Sequence, residues 1–348
     1  MKPSAPLTLN TTRKMNSWML VICIGMLVVS ELVAFLSGGD ADLVRLYAFN
    51  ALFVELACIY IPASIFIDRN GGRNAFGFVR VSGWEWAWAI LLGVGVFFLS
   101  TAVNGFSQLL WKTAGANTEM FQIPLPTDGG WRLFASIFLI VAIPAFAEET
   151  LFRGALLHAW LPQGRVKALW HSAILFALIH FQPAAFPAYL LLSLLLGAVT
   201  LLTGSVFPAM AVHGVNNLLG LLITYFAAGQ LASGAAEAAL TADILPGLIF
   251  YAALGFAACF AGYKGIRAAA ASRNRLAEEE TNQPEFSRLE FDVLKPEEEA
   301  TTPAAASQVP VTLKKGTGAM IATYVVLGLI NLFVLLAMFM ELPQSLPI

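Results

Sequence analysis

The chain has 348 residues, of which 58% are hydrophobic and 12% charged, and its mean hydropathy is +0.73. Soluble domains carry roughly a quarter charged residues, so this chain has too few to cover a water-facing surface. Its net charge of −2 also excludes the dense basic surface that a nucleic-acid-binding protein needs. Composition therefore predicts a protein whose solvent is the lipid bilayer.

Nine apolar segments have about the length of a membrane-spanning helix, which needs roughly 20 residues. They are predicted at 17–37, 43–68, 84–111, 131–158, 168–182, 185–204, 206–228, 243–265 and 318–340. The fifth segment is short, so we expect it to tilt or to lie partly buried among its neighbours. The predicted fold class is an all-α membrane protein, a polytopic bundle of about eight to nine transmembrane helices.

Basic residues are concentrated in four places along the chain: before the first span, between the second and third, between the fourth and fifth, and after the eighth. If every predicted span crosses the bilayer once, all four clusters fall on one side. The positive-inside rule makes that side cytoplasmic. We therefore expect a multi-pass protein of the cell membrane with a cytoplasmic N-terminus.

Residues 267–317 are charged and rich in proline and alanine, with few large apolar side chains. Such a composition buries too little surface to offset the entropy of ordering, which predicts a flexible cytoplasmic linker. The linker would join a helical domain at 1–266 to an additional transmembrane helix at 318–348. A plain tether and a segment that binds an unknown partner both fit this composition.

The fourth predicted span contains three ionisable side chains, Glu148, Glu149 and Arg153, within the segment "IPAFAEETLFRGALLHAW". A charge at the centre of a bilayer costs about 2.5–3.5 kcal/mol, so such residues need partners. Glu149 and Arg153 are four positions apart and can pair on one helix face. Glu148 is rotated from Glu149 by about 100° and points elsewhere. The segment fits acid–base chemistry as well as a structural ion-pair cluster.

Two later spans each carry a pair of polar or aromatic residues four positions apart. Phe176 and His180 lie in "HSAILFALIHF", and His213 and Asn217 lie in "AVHGVNNLLG". Each pair shares one helix face. Taken separately, each is also compatible with hydrogen bonding between packed helices.

Several other polar residues lie within or next to the predicted spans. Glu55 and Asn104 are expected to bond between helices or to line a water-filled path. His158 and His171 lie near the predicted cytoplasmic ends of their helices, where we expect them to face water or lipid headgroups.

The order EExxxR, then FxxxH, then HxxxN, each on its own span, resembles the CAAX-protease and bacteriocin-processing (Abi) family, which includes the type II CAAX prenyl proteases. The matching residues are Glu148, Glu149 and Arg153, then Phe176 and His180, then His213 and Asn217. The resemblance covers roughly residues 131–228.

The resemblance implies a role for each of these residues. Glu148 would activate a water molecule with help from His180, and His213 and Asn217 would stabilise the oxyanion. Glu149, Arg153 and Phe176 would support the site.

The family has also been described as metalloproteases, and Glu148, His180 and His213 would be the ligands if a metal such as zinc is used. The chain has no HExxH motif. The mechanism with a glutamate and a water molecule requires no cofactor, so zinc is possible but not needed.

The expected function is an intramembrane endopeptidase that cleaves a peptide or membrane-protein substrate near the cytoplasmic face. The predicted span places Glu148 about 12 Å from the cytoplasmic end of its helix. His180 lies further from that side, which fits only if the fifth helix starts late or dips into the bilayer. A non-catalytic immunity or scaffold protein and a proton-coupled transporter remain alternatives, the transporter being weakened by the lack of internal repeats.

Overall fold

The computed structural model describes residues 7–37, 42–118, 130–231, 244–281 and 317–339, and these residues form helices without a strand. The nine helices are α1 Leu9–Ser37, α2 Leu43–Arg69, α3 Gly83–Thr113, α4 Gly130–Gln163, α5 Arg165–Leu178, α6 Phe186–Thr203, α7 Phe207–Leu231, α8 Leu245–Thr281 and α9 Thr317–Ala337. All except α5 are long and apolar enough to cross a membrane. The predicted all-α polytopic bundle of about eight to nine helices is confirmed.

Helices α2 and α4 are not regular α-helices along their whole length. Wide π-helical turns occupy Asn50–Tyr60 in α2, and Ile137–Ala142 and Thr150–Leu157 in α4. Such turns rotate the side chains that follow them and are frequent at functional sites. The two carboxylates at positions 148 and 149 lie directly before the second wide turn of α4.

Helices α5 and α6 form a hairpin that enters and leaves at the same end of the bundle. Helix α5 has 14 residues, or a length of about 21 Å. The Arg165 guanidinium at its start donates to the Leu201 carbonyl near the end of α6 at 2.9 Å. The predicted fifth span, 168–182, is therefore wrong: the helix runs from Arg165 to Leu178 and is not long enough to cross.

The predicted spans placed Glu148 and His180 at different distances from the same end of the bundle, and the hairpin removes that difference. Helix α4 extends to Gln163 rather than to residue 158, so Glu148 lies 15 positions, or about 22 Å, from its end. His180 is also 15 positions from the start of α5, just beyond the helix end. The expected distance of about 12 Å from Glu148 to the end of its helix is too short, because hydropathy alone did not show that α4 continues through Leu161–Gln163.

The four basic clusters of the sequence lie at one end of the bundle. Lys14 donates to the Asn70 side chain, at 3.4 Å, in the loop between α2 and α3. Arg273 of α8 donates to the carbonyls of Arg80 and of Thr203, which belong to the α2–α3 and α6–α7 connections. The start of α5 joins the same end through the Arg165 contact described above. The fold thus places the four basic clusters at one end of the bundle, as the predicted topology required. The assignment of that end to the cytoplasm stays a prediction.

Helix α8 continues beyond the position at which the linker was predicted to start. It is helical through Thr281, so residues 267–281 of the predicted linker belong to α8. Alanine is the best helix former, and residues 268–271 are four consecutive alanines. The Arg273 guanidinium also binds the buried Glu85 carboxylate of α3 at 3.0 Å, which fixes this part of α8 to the bundle. Residues 282–316, the rest of the predicted linker, lie outside the described residues, and the division at 1–266 and 318–348 stays a prediction.

Helices α3 and α8 pack closely because glycines let their backbones approach. A Cβ atom added at Gly255 would lie 2.5 Å from the Leu99 backbone nitrogen and 2.9 Å from the Gly95 carbonyl oxygen. One added at Gly95 would lie 2.6 Å from the Cys259 nitrogen. A larger residue at these positions would force the two helices apart.

His158 and His171 are buried, so the expectation that they face water or headgroups is wrong. His158 is buried in the C-terminal part of α4, where its Nδ1 lies 2.6 Å from the Arg153 carbonyl oxygen. His171 stacks on Trp160 at 3.8 Å and bonds the Tyr324 hydroxyl of α9 at 2.6 Å. Neither burial follows from hydropathy, because one depends on the length of α4 and the other on where the last helix docks.

Candidate active site

Three parts of the bundle bring the predicted site residues together. Glu148, Glu149 and Arg153 lie on α4, and His180 lies in the connection between α5 and α6. His213 and Asn217 lie on α7. Helix α7 packs against α4, and α5 packs against both α4 and α6, so the three motifs face a common interior.

Arg153 is fully buried and carries the ion pair that its spacing from Glu149 predicts. Its Nη1 lies 2.9 Å from Glu149 Oε1. Its Nη2 donates to the hydroxyl and the carbonyl of Ser193 on α6, at 2.7 and 3.1 Å. The guanidinium also lies over the Phe176 ring, 4.6 Å from its centroid. Arg153 therefore neutralises Glu149 and joins α4 to α5 and α6.

His213 shares the Glu149 carboxylate with Arg153. Its Nδ1 lies 2.9 Å from Glu149 Oε1, and because a carboxylate oxygen accepts, Nδ1 carries the proton of this hydrogen bond. The other ring nitrogen, Nε2, lies 4.0 Å from Glu148 Oε2. Glu149 thus orients the imidazole so that its second nitrogen is turned toward Glu148.

Glu148 differs from its neighbour in having no cation bound to it. The residue is 7% exposed, and its buried Oε2 atom has no hydrogen-bond partner among the described residues. Two adjacent carboxylates therefore have different environments. One is held in an ion pair, and the other is available to a small molecule in the cavity.

His180 is fixed by the turn that follows α5. Its Nδ1 donates to the Phe176 carbonyl at 2.7 Å, so the proton of the neutral ring lies on Nδ1 and Nε2 keeps a lone pair. The ring is stacked on Tyr189 of α6, with 3.9 Å between centroids. The next residue, Phe181, has a φ of +51°, a left-handed conformation that costs a bulky residue about 1–3 kcal/mol. This strained conformation lets the chain turn sharply at His180.

Phe176 packs at the centre of the polar groups. Its ring is fully buried and contacts Phe152, His180 and His213, with centroid distances of 5.2, 4.8 and 5.8 Å. Together with the guanidinium of Arg153, these contacts make Phe176 a shared support for the site. Its aromatic face explains why a phenylalanine suits this position in sequence.

A partly open cavity of about 480 Å³ joins the four residues predicted to be catalytic. Glu148, His180, His213 and Asn217 all line it. The remaining lining comes from α2, α3, α4, α6, α7 and the α5–α6 connection, and includes Glu55, Phe97, Ser100, Thr101, Asn104, Gln182, Tyr189 and Asn216. This volume has room for several water molecules or for a short segment of peptide.

The cavity also contains polar residues that the motifs did not identify. Glu55 of α2 and Asn104 of α3 line it, each with a buried side-chain oxygen that has no partner among the described residues. These two residues were expected either to bond between helices or to line a water-filled path. Their position at the cavity favours the second role. Tyr189 and Ser193 of α6 were missed, because a single hydroxyl in an apolar helix gives no spacing signal.

The side chains as arranged do not fit a zinc site. In the described part of the chain, no group of three or more His, Cys, Asp or Glu side chains lies close enough to hold a metal ion. Zinc needs three or four ligands at about 2.0–2.2 Å from the metal, which places the ligand atoms of a tetrahedral site roughly 3.4 Å from one another, and Glu148 Oε2 and His213 Nε2 are 4.0 Å apart. Glu148, His180 and His213 remain the ligands to test if a metal is used.

The helical membrane bundle thus brings carboxyl groups, two oriented imidazoles and a carboxamide around one partly open cavity, a set of groups suited to acid–base chemistry. Residues 130–219, which contain every motif residue, match the family model described as Type II CAAX prenyl endopeptidase Rce1-like. The family predicted from the motifs is thereby confirmed over this segment, and at the level of the family it implies an intramembrane CAAX-type protease. Neither the curated proteins nor the solved structures include a match to the chain.

Proposed function

We propose that the chain is an intramembrane endopeptidase in which Glu148 activates a water molecule for attack on a peptide bond. The observation that carries this proposal is the contrast between the two neighbouring glutamates. Glu149 is neutralised by Arg153, whereas Glu148 has no Arg or Lys partner among the described residues and lines a cavity together with two imidazoles. General-base catalysis needs such a carboxylate within reach of a water molecule.

His180 would help to hold the attacking water. Its Nδ1 proton is used by the Phe176 carbonyl, so Nε2 can accept a hydrogen bond from the water. Glu148 would take one water proton as the oxygen attacks the carbonyl carbon. When the carbon–nitrogen bond breaks, the same proton would pass from Glu148 to the leaving amine. The products are a carboxylic acid and an amine, with one water consumed.

His213 and Asn217 are suited to stabilise the negative charge that develops on the carbonyl oxygen. The Glu149 carboxylate holds His213 through Nδ1, so the Nε2 side of the ring is the one turned to the cavity, and this nitrogen can donate to the oxyanion when it carries a proton. The Asn217 side chain accepts from Asn216 at 3.1 Å and donates to the Ile140 carbonyl at 3.4 Å. These two bonds fix the plane of the amide and leave its second N–H hydrogen for the substrate.

The substrate we propose is a peptide or membrane protein cut near the cytoplasmic face of the cell membrane. The four basic clusters define one end of the bundle, and the positive-inside rule assigns that end, and with it the N-terminus, to the cytoplasm. Prenylated peptides are named in the family description, so they are the first substrates to test. No cofactor is required in this mechanism, and zinc remains open to measurement.

The test is the Glu148→Gln variant, which keeps the size of the side chain but cannot act as a base. Membranes from cells with the wild-type protein and with this variant would be compared by peptide mass spectrometry. We expect uncut precursors to accumulate with the variant, while an equal change at the exposed Glu31 leaves processing intact.

A purified protein in lipid nanodiscs would then be assayed on a quenched-fluorescent prenylated CAAX peptide and on the accumulated precursor. Chelator treatment and measured metal content would decide the metal requirement in the same samples. Unchanged cleavage by Glu148→Gln would reject the proposal. A scaffold or transporter would leave the precursors uncut in both strains, and only a transporter would move protons in proteoliposomes.

A further inference from the structure

The last helix, α9, lies far from residues 130–219 in sequence but contacts the active-site hairpin directly. It packs against α1 and α5. The Asn331 side-chain nitrogen donates to the Leu178 carbonyl oxygen at 2.9 Å, and also to the Leu327 carbonyl of its own helix at 2.9 Å. Leu178 is the last residue of α5, two positions before His180.

The Leu178 carbonyl accepts the backbone hydrogen bond that forms the turn at His180. The donor is the Phe181 backbone N–H, at 3.2 Å. Carbonyls at a helix C-terminus have no partner within the helix and need one from elsewhere. The Phe181 amide is one such partner for the Leu178 carbonyl, and Asn331 supplies a second one from another helix. The residue that closes the turn is Phe181, with its φ of +51°, so the turn is strained and needs support from outside.

A second polar contact joins α9 to α5 two turns earlier. The Tyr324 hydroxyl bonds His171 Nδ1 at 2.6 Å, and the His171 ring is stacked on Trp160 of α4. Tyr324 and Asn331 are seven positions apart, so they share one face of α9. The Tyr324 contact reaches the middle of α5, whereas the Asn331 contact reaches the turn that carries the histidine of the cavity.

We propose that α9 is a positioning element of the active site, in which Asn331 holds the turn at 178–181 and thereby aims His180 into the cavity. Asn331 is a positioning residue, because it touches the turn and not the substrate. The effect of Asn331 on the turn does not depend on which reaction the protein performs. The effect of Asn331 on the rate of cleavage rests on the proposed function. The chemistry of the family motifs thus depends on a helix outside the segment that matches the family model.

The test compares Asn331→Leu with Tyr324→Phe in the full chain in lipid nanodiscs. The first change removes the donor to Leu178 with little change in volume, and the second removes a bond from the same face of α9 to a different part of α5. Hydrogen–deuterium exchange of the amides at 179–185 reports the turn directly. We expect Asn331→Leu to speed exchange of the Phe181 amide at least fivefold and Tyr324→Phe to change it less than twofold.

In the cleavage assay, loss of one hydrogen bond of ordinary strength should lower kcat about fivefold to tenfold for Asn331→Leu, with KM within twofold of the wild-type value. Leu329→Ala, a change at an exposed position of α9, should behave as wild type. Unchanged exchange at Phe181 in Asn331→Leu would overturn the proposal, as would an equal effect of Tyr324→Phe. If Glu148→Gln still cleaves while Asn331→Leu loosens the turn, the peptidase mechanism fails and the positioning role stands.

Discussion

Replacement of Arg153 by methionine should destabilise the protein far more than loss of an exposed arginine. Both partners of the Arg153–Glu149 pair are fully buried, and Arg153 also donates to Ser193. Removing one member of a buried pair leaves an uncompensated charge, which costs about 3–5 kcal/mol. We expect Arg153→Met to lower the free energy of unfolding by that amount.

The measurement is unfolding of the purified protein in mixed micelles by a denaturing detergent, followed by circular dichroism. Arg132 provides the matched control, because its pair with Asp42 is 2.6 Å long but exposed. Exposed pairs contribute little to stability, so Arg132→Met should leave the unfolding curve unchanged within error.

A double-mutant cycle tests the cause of the effect. When Glu149→Gln is added to Arg153→Met, the stranded carboxylate is gone, so the double variant should lose less stability than the sum of the two single variants. If Arg153→Met unfolds like Arg132→Met, or if the two buried changes are additive, the ion pair does not hold the site together in the way described.

Two further predictions concern helix packing and the second acid of the cavity. Gly255→Ala should destabilise by about 1–3 kcal/mol, because the added Cβ meets the α3 backbone, whereas Gly247→Ala on the same helix meets nothing and should be neutral or stabilising in the same unfolding assay. Glu55→Gln should keep cleavage within a few-fold of wild type, because Glu148 is the proposed base and Glu55 contributes to the wall of the cavity from α2. A loss of cleavage as large as that of Glu148→Gln would show that the role of base had been assigned to the wrong one of the two acids.

The sequence predicted those features that depend on spacing within one helix. The four-residue separation of Glu149 and Arg153 predicted their ion pair, and the pairs at 176/180 and 213/217 predicted which side chains share a face. Hydropathy also predicted nine helical segments. These features are local, because side chains three or four positions apart meet wherever the helix lies.

Several features that depend on contacts between distant segments were not predicted. Helix α5 was taken for a fifth crossing, because its apolar segment continues past Leu178, and only the fold shows that the helix ends there after 14 residues. The burial of His171 required knowledge that Tyr324 would dock beside it. The place of Glu55 in the cavity likewise arises only when α2 packs against α4.

The cavity is built from two sources, and this division has a consequence for how its selectivity can change. Glu148, His180, His213 and Asn217 belong to the segment 130–219, but Glu55 and the α3 side chains on the opposite wall do not. Substitutions at Phe97 or Thr101 would reshape the space offered to a peptide while the reacting groups stay in register. Under the proposed function, proteins with the same four residues could differ in substrate through α2 and α3 alone, and these two helices are where an attempt to change substrate selectivity would begin.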